Sequence, residues 1–180
     1  GTARHACVAW LRGGGSAVGS AADRRAAGLY AKLDGRAHMA IAVERQSVDW
    51  MRRLFAFPEN ASGIFVTGTS MANLMAVLVA RNAALGTLAR QYGIGNDGAL
   101  LTAYTSQAAH GCVSRAMDIA GLGTDALRKI GVDADHRIDV AALRAQITVD
   151  REVGFKPFLV VASAGTVDIG SIDDLKAIAE

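Results

Sequence analysis

Thr67-Gly68-Thr69-Ser70 places hydroxyl groups and a glycine at the break between a short apolar run, Ile64-Phe65-Val66, and a long one, Met71 to Leu85. An apolar run, a polar break and a longer apolar segment read as a buried strand, a tight turn and a buried helix. Thr69 or Ser70 is the natural N-cap of that helix, and Gly86 stands where a left-handed residue ends one. A helix N-terminus carries free N–H groups and the positive end of the helix dipole, so an anion is welcome there. Two hydroxyls beside such amides suit a phosphate. The turn lacks the lysine of a P-loop and the three spaced glycines of a dinucleotide fingerprint, and similar turns occur throughout α/β proteins without any ligand.

Composition narrows the classes. A chain of 180 residues allows one domain with a core, or a piece of a larger one, and 51% hydrophobic residues with two prolines exclude a disordered tail. Net charge is +2, with basic residues interspersed among acids, which argues against a nucleic-acid face. Cys7 and Cys112 are isolated and lack metal-ligand spacing, so the expectation is reduced thiols, no metal and a cytoplasmic location. Arg81 and Arg90 interrupt the longest apolar segment before it reaches the roughly 18 residues of a membrane span. The N-terminus lacks the pattern of a signal peptide.

The elements that must position the turn follow in order. Residues 1 to 15 end in three glycines and read as a loop, with Trp10 and Leu11 its bulky apolar members. Ala17 to Lys32 is alanine-rich and predicts a helix. Ala40 to Phe55, with Ile41, Val48, Met51 and Phe55 on one stripe, predicts an amphipathic helix whose Trp50 belongs to a core or an interface. After the central strand and helix come a strand at Ala99–Thr105, a helix at Ala108–Ile119 and a short strand at Leu127–Val132. Asp139 caps a helix running to Asp150. Pro157–Ser163 reads as a fully buried parallel strand, and Ser171 and Asp173 open a last helix.

Such alternation predicts an α/β fold, a mostly parallel sheet with flanking helices. Ligands of these sheets bind at the carboxyl ends of strands. Three polar turns lie there: Thr67–Ser70, Thr105–His110 and Gly165–Gly170. The last helix lacks a stop signal and no strand returns from it, so the expectation is a stretch cut from a longer protein.

Four ordered segments carry a resemblance: FVTGTSMANLMAVLVAR, YTSQAAHGCVSRAMDIAGLG, DADHRIDVAAL and PFLVVASAGTVDIGSIDDL. Together they resemble the group II pyridoxal-phosphate-dependent decarboxylases, which include the aromatic-amino-acid and glutamate decarboxylases. The match runs over roughly residues 36 to 180, more loosely before. It implies the large domain of fold-type I (aspartate-aminotransferase-like) pyridoxal enzymes, normally homodimeric, with a first segment over 1–35 and a partial cofactor-binding domain over 36–180. It also implies pyridoxal 5'-phosphate as cofactor and an L-amino acid, aromatic or otherwise bulky, as substrate.

Carried over position by position, the resemblance sets Thr69 and Ser70 at the cofactor phosphate, with Gly68 admitting the backbone. His110 falls where the family stacks an imidazole over the pyridine ring near the substrate, Thr166 in the loop flanking that ring, and Asp173 at an acidic position with a supporting or capping role. Trp10 is retained from the family's substrate-pocket loop. The departures are Val167, where many animal members have a second threonine, and Arg4 to Ala9, where the family has a His-Pro pair and aromatic residues.

The family's His-Val-Asp-Ala word, whose Asp pairs with the pyridinium nitrogen, and its Schiff-base lysine are expected beyond Glu180. Lys32, Lys129, Lys156 and Lys176 match neither. The implied activity is therefore a carboxy-lyase, with the 180-residue stretch inactive in isolation. The alternatives are a non-catalytic truncated paralogue, or a phosphate-binding subunit completed by a partner chain. Aldehyde formation in place of decarboxylation is a further outcome within the same family.

Overall fold

The computed structural model describes residues 16–19, 38–86 and 89–180. Its elements are β1 (Ser16–Gly19), α1 (His38–Leu54), β2 (Ser62–Phe65), α2 (Thr69–Leu85), α3 (Ala89–Tyr92), α4 (Gly95–Ala99), β3 (Leu101–Ser106), α5 (Cys112–Ile119), β4 (Leu127–Ile130), α6 (Val140–Glu152), β5 (Lys156–Val161) and α7 (Leu175–Ala179).

Three strands form a parallel sheet in the order β4-β3-β5. Each is connected to the next through a helix, as parallel pairing requires. Strand β3 lies in the middle, and all six of its residues are buried. Side chains alternate across a strand, so β3 feeds two cores. Ala103 joins Val77 and Ala80 of α2 and Val113, Ala116 and Met117 of α5, with Leu127, Leu159 and Val161 from the neighbouring strands. Tyr104 joins Ile130, Ile138 and Leu143 on the opposite face, where Ile147 and Ile178 bring in α6 and α7. The result is helix, sheet, helix. Met117 is fully buried, and burying a side chain of that size contributes about 2 kcal/mol.

Strand β3 contains Thr102, Tyr104, Thr105 and Ser106, and each polar group finds a partner inside. Tyr104 donates its hydroxyl proton to Asp150 Oδ2 at 2.7 Å, and the Thr102 hydroxyl lies 2.9 Å from the same phenol. Thr105 Oγ1 donates to the Val161 carbonyl at 2.9 Å, sewing β3 to β5. Asp150 also accepts from Arg128 Nε at 3.2 Å and from Gln146 Nε2 at 3.2 Å. Burial alone would raise the Asp150 carboxyl, but the Tyr104 hydroxyl, the Arg128 guanidinium and the Gln146 amide outweigh it and hold the group below the usual carboxylate value. Burial pushes the Tyr104 phenol up to about 12.

Several expectations change. The run at Ile64–Val66 does not enter the parallel sheet among the described residues. Instead β2 pairs antiparallel with β1, Ser16 opposite Phe65 and Gly19 opposite Ser62, and Ile64 and Phe65 are exposed. A four-residue apolar run does not encode its partner, and pairing decides it. Residues 16–19 are a strand for the same reason: a cross-strand ladder overrides the helix preference of an alanine-rich stretch. The rest of that predicted helix, and the N-terminal loop with Trp10, lie outside the described residues.

The predicted core stripe of α1 is only half-buried at Ile41 and Val48, while Met51, Phe55 and Trp50 are exposed. Strand β5 is also less enclosed than its apolar sequence suggests, since only Leu159 and Val161 are fully buried. It stands at the edge of the described sheet, whereas β3 has a neighbour on each side.

Candidate functional site

Helix α2 starts at Thr69, and its N-cap is Gly68, not Thr69 or Ser70. Gly68 is extended, with no side-chain capping bond. At this extended cap the backbone carbonyl makes the first helical bond, Gly68 O accepting from Ala72 N at 3.1 Å. The hydroxyls of Thr69 and Ser70 are thus left unspent on capping, beside first-turn amides that a helix cannot satisfy internally. At the other end Gly86 has φ 76, the left-handed stop expected there, and donates to the Asn82 carbonyl at 2.9 Å.

The β3–α5 loop places His110. Helix α5 begins at Cys112, later than the spacing of apolar residues predicts, because residues 107–110 turn sharply. Ser106 Oγ accepts from Ala108 N at 3.1 Å, Ala109 N donates to the Ser106 carbonyl at 3.0 Å, and Gln107 N donates to the Ile130 carbonyl at 2.8 Å. His110 Nδ1 accepts from Cys112 N at 3.1 Å, so this ring nitrogen caps the helix. With Nδ1 accepting, the proton of the neutral ring is assigned to Nε2.

Two bonds hold α5 against α2. Asn73 Nδ2 donates to Cys112 Sγ at 2.9 Å near the start of both helices. Arg81 Nη1 donates to the Ala120 carbonyl at 2.6 Å near their ends. The arginine that interrupts the apolar run of α2 therefore satisfies a helix-terminal carbonyl.

Beyond β5 the chain turns back on itself. Gly165 takes φ 106, a conformation an L side chain resists. Gly165 N and Thr166 N both donate to the Ser171 carbonyl, at 3.0 and 2.9 Å, and Thr166 Oγ1 accepts from Ser171 N at 3.0 Å. Because that oxygen accepts, its own proton remains available to donate. Asp173, expected to open the last helix, instead turns inward, and Asp174 caps α7 by accepting from Ala177 N at 3.0 Å.

These three loops meet. A cavity of about 340 Å³ is lined by Thr69, Ser70, His110 and Thr166, together with Cys112, Ser163 and Val167 among others. The three polar turns do converge, but only the two after β3 and β5 lie at the edge of the parallel sheet; the Thr69–Ser70 turn follows β2, outside it. Thr69, Ser70, His110 and Thr166 share the cavity; Gly68 sits at the cap just outside its lining; Trp10 lies outside the described residues. The sequence places neither Cys112, Asn73 nor Ser163 at the site. Spacing carries no signal for them, since Asn73 and Cys112 meet only where α2 and α5 cross, and Ser163 is held at the end of β5 by the distant Asp173. Among the described residues, no group of three or more His, Cys, Asp or Glu could hold a metal ion, and no helix is long and apolar enough to cross a membrane.

A parallel α/β sheet with hydroxyls, helix-terminal amides and an imidazole at the strand ends defines a class of anion-binding α/β proteins. Comparison with known proteins narrows it. Residues 36–180 match the pyridoxal-dependent decarboxylase conserved domain. The chain is 36% identical over 177 residues to an aromatic-L-amino-acid decarboxylase of Bacillus atrophaeus, covering 96% of this chain and 35% of that protein. It is 35% identical to an L-2,4-diaminobutyrate decarboxylase of Rhizobium meliloti, covering 78% and 27%. Among solved structures, the glutamate decarboxylase domain of a Vibrio parahaemolyticus protein superposes with a TM-score of 0.77 at 28% identity, over 98% of this chain and 40% of that one. Mouse CSAD in its apo form superposes at 0.71 with 30% identity, over 78% and 30%. The chain belongs to the pyridoxal-dependent decarboxylase family. It spans about a third of the length of these relatives.

The residues present fit pyridoxal phosphate. The donor set is that of a phosphate cradle, with two uncommitted hydroxyls at the N-terminus of a 17-residue helix. A Cβ built on Gly68 or Gly165 would meet nothing within 4 Å, so open space adjoins the backbone at both turns. The cavity volume lies in the range of small-molecule sites.

Proposed function

We propose that this chain is the part of an amino-acid decarboxylase that cradles the phosphate and one face of pyridoxal 5'-phosphate. The observation that carries the reading is the single cavity shared by Thr69, Ser70, His110 and Thr166. In it the first-turn amides and the Thr69 and Ser70 hydroxyls bind the phosphate, where helix dipole and hydrogen bonds act together. His110, fixed through Nδ1, lies against the ring and presents Nε2–H. Thr166, buried and fixed through Ser171, donates its hydroxyl proton from the opposite loop.

Bound pyridoxal phosphate supplies an electron sink for the pair left behind when CO₂ departs. What these residues contribute is position: holding cofactor and substrate so that the carboxylate-bearing bond is the one that breaks. The substrate in this reading is an L-amino acid with an aromatic or other bulky side chain, supported by the aromatic-L-amino-acid decarboxylase of Bacillus atrophaeus. The protein is read as a cytoplasmic homodimer. The exposed apolar side chains of Trp50, Leu54 and Phe65 offer surface for a second subunit or for the remainder of the chain.

The test uses the full-length protein that contains this chain. Its cofactor content is measured by absorbance, and amine, aldehyde and CO₂ are quantified with a panel of L-amino acids. Amine and CO₂ in equal amounts support the reading. Aldehyde with ammonia replaces it by the oxidative outcome. A protein that neither retains pyridoxal phosphate nor takes it up overturns it in favour of the non-catalytic paralogue.

A further inference from the structure

We propose that Asp173 is a positioning residue for the Thr166 loop, a statement that rests on the cofactor reading above. Asp173 is 3% exposed, and it uses both carboxylate oxygens on backbone amides from two distant segments. Oδ2 accepts from Ser163 N at 2.6 Å, at the end of β5 where the cavity wall begins. Oδ1 accepts from Ile138 N at 2.7 Å, in the segment that leads to α6. Its own amide donates to the Ser163 carbonyl at 2.9 Å, so residues 163 and 173 are joined in both directions.

That junction closes the base of the loop that carries Ala164, Gly165, Thr166 and Val167 into the cavity. Within the loop, Ala164 pairs with Ile172, and Ser171 receives the Gly165 and Thr166 amides. On the outside, Ser171 Oγ donates to the Asp135 carbonyl at 3.1 Å, and Val132 pairs with Ile138 across the turn that holds Asp135. The loop is thus docked on a second turn, and Asp173 is the side chain bonded to both. Bonds from amides to a buried carboxylate are shorter and stronger than neutral ones. Replacing the carboxylate by an amide turns an NH₂ donor toward one of the two N–H groups, which then lacks an acceptor. With the clamp open, Thr166 loses its fixed distance from the hydroxyls at the start of α2, on the other side of the cavity. Misplacement on the scale of an ångström is enough to weaken a preorganised site.

The experiment is a double-mutant cycle on the full-length protein, reading pyridoxal phosphate affinity by fluorescence titration of the cofactor-free form. Asp173→Asn is expected to raise the dissociation constant about tenfold, and Thr166→Ala to raise it as well. Combined, the two are expected to lose less than the product of the single losses, because Asp173 acts through Thr166. A fully multiplicative double variant overturns the proposal. So does an unchanged affinity in Asp173→Asn while Ser70→Ala binds weakly. If Ser70→Ala also binds normally, the cofactor reading fails, and this inference fails with it.

Should Asp173→Asn fail to fold, hydrogen exchange of the unsubstituted, cofactor-free protein decides. Segments 132–139 and 162–173 are expected to open at a common rate; separate rates would show that Asp173 does not couple them.

Discussion

His110 Nδ1 accepts the backbone amide of Cys112 at 3.1 Å, so the imidazole at the cavity is also part of the N-terminal cap of α5. Cys112 is in turn held through its sulfur by Asn73 of α2. The ring orientation therefore depends on how α2 and α5 pack, and the helix whose first turn offers Thr69 and Ser70 also steadies His110. Binding group and ring-facing group share one scaffold.

Replacing His110 by Ala in the full-length protein is expected to lower kcat by about a hundredfold while changing cofactor affinity far less. Steady-state kinetics beside a cofactor titration separate the two effects. Equal losses in both would reduce the imidazole to a cofactor clamp, and a normal rate would leave it only its capping role.

Ser70 is exposed at the cavity and does no capping work, so Ser70→Ala should leave thermal stability nearly unchanged. Its cofactor affinity is expected to fall about tenfold or more, the size of a hydrogen bond to a charged group. Retained affinity would remove Ser70 from the phosphate site.

Asp150 makes stability depend on pH. Its folded value lies below the unfolded 3.8, so the unfolded chain binds the proton more readily. Its stabilising contribution is therefore fully present well above pH 4 and is lost as pH falls through the folded value. Urea midpoints between pH 7 and pH 3 are expected to drop for the parent protein and to drop less steeply for Asp150→Asn. That variant is also expected to be less stable at pH 7, because Tyr104 and Arg128 lose a charged partner.

Asp139 caps α6 by accepting from Ala142 N at 3.0 Å, from the extended conformation that capping requires. Asp139→Ala is expected to cost about 1 kcal/mol, read by chemical denaturation. Asp139→Asn should recover most of it, since an amide oxygen also accepts this bond.

Local sequence determined the parts governed by near neighbours. The long apolar run of α2, its Gly86 stop, the Asp139 cap and the alternation of strands and helices all depend on residues within a turn or two. Each is legible in the chain. So is the meeting of the His110 and Thr166 turns, because β3 and β5 are parallel and bring their carboxyl ends to one edge. The Thr69–Ser70 turn, in contrast, follows β2, outside that sheet, and reaches the cavity through the packing of α2.

Tertiary structure decided what depends on distant partners. It moved Ile64 and Phe65 out of the parallel sheet, because a short apolar run pairs with whichever edge is presented to it. Likewise β3, with its threonines and tyrosine, became the most buried strand: Asp150, contributed from α6, satisfies the phenol. Finally, Asp173 turned from helix capping to a clamp, since two backbone amides from Ile138 and Ser163 converge on it only after the loops have docked.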